Sequence, residues 1–442
     1  MKNRGSILIG LLWCVALLSL VVVGVLYTAR MDLMVGKNYA DKIQARYLAL
    51  AGVEKAKALL YKNAQDRSHS RKNHSGEFYD SASDFKEVAF GRGTYSVMHR
   101  GRTDEGGGVI YGVSDEESRL NLNTVDADTL QKIKGLTSDN AAAILGWRGQ
   151  GSSDQEKDYY LSLRPPYMPR LGAFQTIREL LMVRTITPEQ VYGRDNHQNG
   201  LLVADDSEDG PPKYPESVST DDLGWAGILT VDSAVKNVNA AGESRVNVQN
   251  ADETTLTTVH GITPQIAHAI TTYRSKNRFS SIADLLDVTP PNNQNGGIPG
   301  GQGNSSGDGS GGAVVDVNLL SDIADDITTS GDGPQPGAVN INTASAEVLE
   351  CLPGVDENLA QAIISYRRSS GFFDNVAGLF KVDGMTRDIF KQLAPLVTTR
   401  SETYRILAEG RVNSTGARQR IQEIVRINLD GVKLLSYRED DL

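Results

Sequence analysis

Cysteine is nearly absent from this 442-residue chain, which has only Cys14 and Cys351. Cys14 lies in an uncharged N-terminal run and Cys351 far outside it. An intrachain disulfide is therefore not expected, and two thiols do not fix a redox compartment. Histidine is scarce too. His69, His74, His99, His197, His260 and His268 show no zinc spacing with cysteine, and the last two read as surface or packing residues. No nucleophile elbow, metalloprotease motif or Gly-Lys-Ser/Thr phosphate loop is evident. These absences leave an enzyme reading nothing to stand on, so the expectation is a protein without catalytic activity. Positive charge is also in deficit, 45 Lys and Arg against 55 Asp and Glu, net −10. That balance argues against a nucleic-acid polyanion as partner.

What the N-terminus has is apolar length. After the basic leader Met1 to Gly5, the stretch Ile7 to Leu26 carries no charge. About twenty residues at ~1.5 Å rise match a ~30 Å hydrocarbon core. Lys2 and Arg4 put the N-terminus in the cytoplasm by the positive-inside rule and the rest of the chain outside. A cleaved secretory signal, cut near Tyr27-Thr-Ala-Arg, is the competing reading, but its apolar region should be shorter. From Tyr27 to Lys62 there is no proline. Met31, Met34, Tyr39, Ile43, Tyr47, Leu50, Val53, Leu59 and Leu60 recur at helical spacing. One rod, lipid-soluble and then amphipathic, is expected over residues 6–62.

Asn63 to Ser83 reads as polar loop. Strand-like stretches follow at Phe85 to Met98 and Val109 to Val113, and again from Tyr404 to the end. Strands that open and close the chain imply one α+β domain, residues 63–114 and 400–442 with the rod. A mainly helical insert of residues 115–399 interrupts it.

The insert is repetitive. Leu120-Asn-Leu-Asn-Thr leads through Leu130, Gly135, Ala141 and Ile144 to Trp147-Arg148. Val246-Asn-Val-Gln-Asn leads through Leu256, Gly261, Ala267 and Ile270 to Tyr273-Arg274. Val339-Asn-Ile-Asn-Thr leads through Leu349, Gly354, Ala360 and Ile363 to Tyr366-Arg367. A second block follows each copy (Ile177 to Val183, Ile282 to Val288, Val376 to Val382), preceded by an aromatic read as Phe174, Phe279 and Phe372. The three units span about 119–190, 245–289 and 338–397. Asparagine side chains are expected to cap each first helix, and Gly135, Gly261 and Gly354 to permit the turn into the second.

These copies resemble the helix-hairpin-helix family. In its DNA-binding members the turn reads Gly-apolar-Gly and grips a phosphate. Here it reads Gly135-Leu136-Thr137, Gly261-Ile262-Thr263 and Gly354-Val355-Asp356. The second glycine is missing throughout, and Asp356 would repel a phosphate. The hairpins are expected to serve as packing units, with the helix-end arginines capping carbonyls or pairing with carboxylates.

The leader and rod resemble type IV pilins and pseudopilins, which implies cleavage by a prepilin peptidase between Gly5 and Ser6. Two departures stand out: Ser6 where a large apolar residue is usual, and Gly10 where the fifth mature residue is usually glutamate. The resemblance implies that this glutamate meets the terminal amine of a neighbouring subunit. A subunit with nothing above it is better without a buried, unpaired carboxylate. Together with Gly112-Val-Ser-Asp-Glu-Glu-Ser-Arg, the hairpins and the closing strands, the chain resembles the K-type minor pseudopilins of type II secretion systems. That resemblance implies a single-pass inner-membrane protein with its bulk in the periplasm, at the tip of a pseudopilus. Its partners would be I- and J-type minor pseudopilins, the major pseudopilin, the inner-membrane assembly platform, the prepilin peptidase and membrane lipid. No cofactor is required, although the family admits calcium. Asp205, Asp206, Glu208 and Asp209 are the candidate ligands by oxygen chemistry alone. The alternative is a membrane-anchored helix-hairpin-helix protein that binds and takes up DNA.

Overall fold

The computed structural model describes residues 4–72, 78–101, 107–151, 153–195, 197–201, 223–290, 313–331 and 333–439. Its first element, α1, is an unbroken helix of 67 residues, Arg4–Ser70, about 100 Å long at ~1.5 Å per residue. Large apolar side chains from Ile7 to Tyr39 stand exposed, whereas Ala45, Leu48, Ala49, Val53, Ala56, Leu60 and Ala64 are buried along one face. The helix runs past Lys62 through residues whose polarity suggests loop. Ala64 and Arg67 continue its packed face, and packing outweighs the weak local preference.

That face lies on a six-stranded sheet built from β1 (Val88–Phe90), β2 (Gly93–Val97), β3 (Ser114–Asp115), β4 (Thr403–Val412), β5 (Arg418–Asn428) and β6 (Gly431–Arg438). The order is β1-β2-β4-β5-β6, with β3 also paired to β4, all antiparallel. The stretch from Phe85 to Met98 is not one strand. Phe85, fully buried, ends a short helix, and a turn at Gly91 (φ +59°) folds β1 onto β2. Small residues let helix and sheet approach closely: a Cβ built on Gly410 would sit 2.0 Å from the Ala45 carbonyl oxygen.

β3 and β4 are hydrogen-bonded neighbours, Asp115 opposite Tyr404, so the chain leaves the sheet and returns to it at one point. Gly410, toward the other end of β4, touches α1 at Ala45, while Asp115 and Tyr404 group with Leu60 and Asn63. The inserted region therefore joins the end of the sheet farthest from the apolar run. It also meets the end of α1, where the Ser68 hydroxyl donates to the Ala241 carbonyl at 3.0 Å.

Each repeat unit closes on itself through a two-residue parallel pair. Leu120–Asn121 pairs with Leu229–Thr230, Val246–Asn247 with Ile327–Thr328, and Val339–Asn340 with Val397–Thr398. The first two units thus extend beyond residues 190 and 289. The glycine-rich stretch from Pro290 lies inside the second unit, before its last helix Val317–Ile323. Two-residue strands carry no periodic signal, which is why closure is invisible in the sequence. Leu130, Ile144 and Leu180, and their counterparts in the other units, belong to one continuous core.

Each aromatic near the end of the second helix stacks on a phenylalanine: Trp147 on Phe174, Tyr273 on Phe279, Tyr366 on Phe373. In the third unit that residue is Phe373, not Phe372. Phe373 is 2% exposed and its amide donates to the Asn342 side chain at 2.8 Å; Phe372 is 37% exposed. Phe373→Ala should lower unfolding free energy by about 3–5 kcal/mol, and Phe372→Ala by less than about 1 kcal/mol. Urea titration of the two variants checks the assignment.

Candidate functional site

Two places merit attention as functional sites, the hairpin turns and the junction between sheet and insert. All three turn glycines have left-handed backbones, at φ +77° (Gly135), +94° (Gly261) and +74° (Gly354). The second helices begin on Thr137, Thr263 and Asp356, whose side-chain oxygens accept the amides of Asn140, Ile266 and Leu359 at 3.2, 3.3 and 2.8 Å. The Asp356 carboxylate is thus already used as a cap. The first helices are capped by Asp126, Asp252 and Ser345, not by the asparagines. Asn121, Asn247 and Asn340 instead accept the amide two residues on, at 2.9–3.0 Å, forming turns that aim Asn123, Gln249 and Asn342 at the stacked phenylalanines.

The arginine ending each second helix points inward. Arg148 donates to the Val125 carbonyl, Arg274 to those of Val248 and Ala251, and Arg367 to those of Ile341 and Ala344. These guanidiniums tie the second helix to the strand and turn leading into the first. Lys132 donates to the Leu352 carbonyl at 2.7 Å, linking the first hairpin to the third. A Cβ at Gly261 would lie 2.9 Å from Leu319, and one at Gly354 would lie 3.4 Å from Ile389. In the second and third units, then, the closing helix lies beside the turn, although all three turn glycines remain exposed. Glu347, Glu350, Asp356 and Glu357 surround the third turn. Burial, then the charges of Glu357 and Glu347, push the Glu350 carboxyl up, as expected where negative charge is crowded.

Gly5, Ser6 and Gly10 all lie in the first turns of α1, with open space around Gly10. Asp205, Asp206, Glu208 and Asp209 fall outside the described residues. Among the described residues no group of three or more His, Cys, Asp or Glu side chains is placed to hold a metal ion.

The junction is where sequence reasoning missed most. Asp115, Glu116 and Glu117 are each at most 3% exposed. Asp115 accepts the Glu117 amide at 2.8 Å, the Asn340 side chain at 3.0 Å and the hydroxyls of Thr343 and Ser401. Glu117 accepts the amides of Ala234 and Thr403 at 3.1 and 3.0 Å. Glu116 accepts Arg405 at 2.7 Å, Arg119 at 3.1 Å and the Thr230 hydroxyl. One tripeptide thus ties β4 to the first and third units and to the segment that opens the second. Burial pushes Glu116 up, but Arg405 and then Arg119 pull it down further, to about 2. Burial, and then the charge of Asp115, push Glu117 well above the ordinary carboxylate range. The available signal was the run Asp115-Glu116-Glu117 beside a strand, where charge at the start of a packed repeat calls for buried partners.

The fold and site define a class: an α+β protein with an N-terminal helix long and apolar enough to cross a membrane and an inserted body of helix-hairpin-helix units. Residues 242–290 and 336–398 match the family model described as helix-hairpin-helix motif. Over 69 residues the chain is 36% identical to ComE operon protein 1 of Bacillus subtilis (strain 168), covering 16% of this chain and 34% of that one. Over 157 residues it is 30% identical to endonuclease/exonuclease/phosphatase family domain-containing protein 1 of Mus musculus, covering 32% and 26%. The chain therefore spans about a third or less of these relatives. Among solved structures it is similar to a chain of the GspK-GspI-GspJ complex from the enterotoxigenic Escherichia coli type 2 secretion system. That match covers 93% of this chain and 98% of the other at 11% identity, with a TM-score of 0.34, too low to carry an inference.

Proposed function

We propose that this chain is a non-enzymatic assembly protein of the cell envelope, a K-type minor pseudopilin that caps the periplasmic pseudopilus of a type II secretion system. The observation that carries this reading is the position of the insert. α1 enters from the apolar run, packs on the sheet, and ends against a helical body occupying the far end. A subunit shaped this way can be packed along its rod from below but leaves no sheet end free for another copy above. Gly10, with no carboxylate to bury, fits a terminal position. The I- and J-type minor pseudopilins are the partners in this reading, and membrane lipid surrounds residues 7–26.

Two measurements test it. Sequencing the mature N-terminus of the membrane-extracted chain is expected to start at Ser6. An intact Met1, or a start near Ala29, removes prepilin processing. The full chain co-expressed with the I- and J-type minor pseudopilins of the same organism is expected to elute as one complex by size exclusion with light scattering. Separate elution of the three counts against the cap.

A second reading, DNA binding by the hairpins, is favoured by the family match at residues 242–290 and 336–398. The missing second glycine in all three turns and the acidic surroundings of Asp356 oppose it. Gel shift at about 50 mM salt should show no retarded duplex at about 10 µM protein; salt-sensitive retardation would reverse the ranking.

A further inference from the structure

A cavity of about 510 Å³ opens between β4–β6 and the segment Gln175 to Gly200 of the first unit, within the range of ligand sites. In a chain of net charge −10 its wall carries five arginines, Arg100, Arg119, Arg178, Arg405 and Arg438, against Asp195 and Asp232. Glu116 behind the wall engages Arg119 and Arg405. Arg178 is exposed and donates to the Gln198 side-chain oxygen at 2.9 Å; no carboxylate pairs with it among the described residues. Asp195, Asn199 and Gln422 also belong to the wall, each more than nine-tenths buried.

Guanidinium forks suit carboxylates. Leu407, Ile424 and Leu435 supply an apolar floor. Among the described residues β6 is the terminal strand of the sheet, and it lines the cavity from Leu435 to Arg438, so an extended backbone laid beside it can also pair with its outer edge. A simple anion satisfies only the arginines; an extended peptide with acidic and aliphatic side chains matches the arginines, the apolar floor and the strand edge together. We propose that this cavity binds an extended acidic peptide segment of a partner protein, with Arg178 as a principal carboxylate contact. The proposal does not rest on the secretion reading.

The test uses the full chain in lipid nanodiscs and a short fluorescein-labelled peptide of alternating Glu and Val, followed by anisotropy. Binding is expected to weaken at least about tenfold in Arg178→Ala, to recover partly in Arg178→Lys, and to fall with added salt. A matched Lys-Val peptide should not bind, and equimolar inorganic phosphate should not displace the acidic one. Tryptophan fluorescence of both variants verifies folding, since Arg178 is exposed. No binding, equal binding of the Lys-Val peptide, insensitivity to Arg178→Ala or full displacement by phosphate would each overturn the proposal. Binding that appears only after removal of residues 203–221 would overturn it too, because the cavity would then belong to this chain's own acidic run.

Discussion

Glu116→Ala is expected to lower the unfolding free energy of the junction by about 3–5 kcal/mol, because it leaves two guanidiniums without their buried counter-charge. Glu116 is fully buried between Arg119 and Arg405, and the Thr230 hydroxyl also donates to it. The carboxylate itself has no exposed surface. The same residue predicts an acid limb. Its folded pKa, about 2, lies below the ordinary value of 4.5, so its stabilisation is fully present above pH 4.5 and is lost as pH falls toward 2. The amount at stake is on the order of 3 kcal/mol. Glu116→Gln keeps the volume and removes the charge; it should be destabilised at pH 7 and converge with the native chain as pH approaches 2. Glu117 has the opposite sign. Its pKa is raised by burial and by Asp115, so its contribution is present below the ordinary carboxylate value and fades as pH rises through the raised one. Glu117→Gln should therefore show its smallest deficit at high pH. Urea titrations from pH 2 to 9, read from Trp147 and Trp225 of the insert, measure both. A Glu116→Gln deficit that does not shrink with acidification would remove the ion pair as its cause.

Gly410→Val is expected to detach α1 from the sheet. A Cβ at this position meets the Ala45 carbonyl oxygen at 2.0 Å, the Ala49 nitrogen at 2.5 Å and the Leu48 Cβ at 2.7 Å. Two of these are backbone atoms of a rigid helix, so no rotamer change relieves the clash. Overpacking against backbone should cost about 3 kcal/mol or more. Residues 45–64 of α1 should then lose hydrogen-exchange protection and become sensitive to proteolysis. Gly36→Ala is the contrast: Gly36 has open space around it in the exposed part of the rod, and the substitution should favour the helix by up to about 1 kcal/mol without touching the sheet. Equal protection of residues 45–64 in native and Gly410→Val chains would mean the close approach does not hold the two layers together.

The repeats were legible because each unit is local. Leu130, Gly135 and Ile144 recur at fixed spacing, and a hairpin buries its apolar faces within about thirty residues. Arg148, Arg274 and Arg367 read as capping helix-end carbonyls or pairing with carboxylates; in the structure they donate instead to carbonyls just ahead of each first helix. The sequence does not separate Phe372 from Phe373, because they are adjacent and only packing distinguishes them. Asn is a good helix cap in isolation, yet in the structure the capping position falls on Asp126, Asp252 and Ser345.

Composition alone makes residues 7–26 able to cross a membrane, since hydropathy and rise per residue are local properties. The three hairpin units are likewise written in the chain, because their periodicity repeats within short windows. The tertiary structure alone decided that the rod continues to Ser70, that each unit closes through a two-residue parallel pair, and that Asp115, Glu116 and Glu117 lock the insert to the sheet. Those features join residues up to 289 positions apart. Their energy lies in partners no local pattern can name, because a buried carboxylate looks in sequence like any other acidic residue until the fold brings its donors to it.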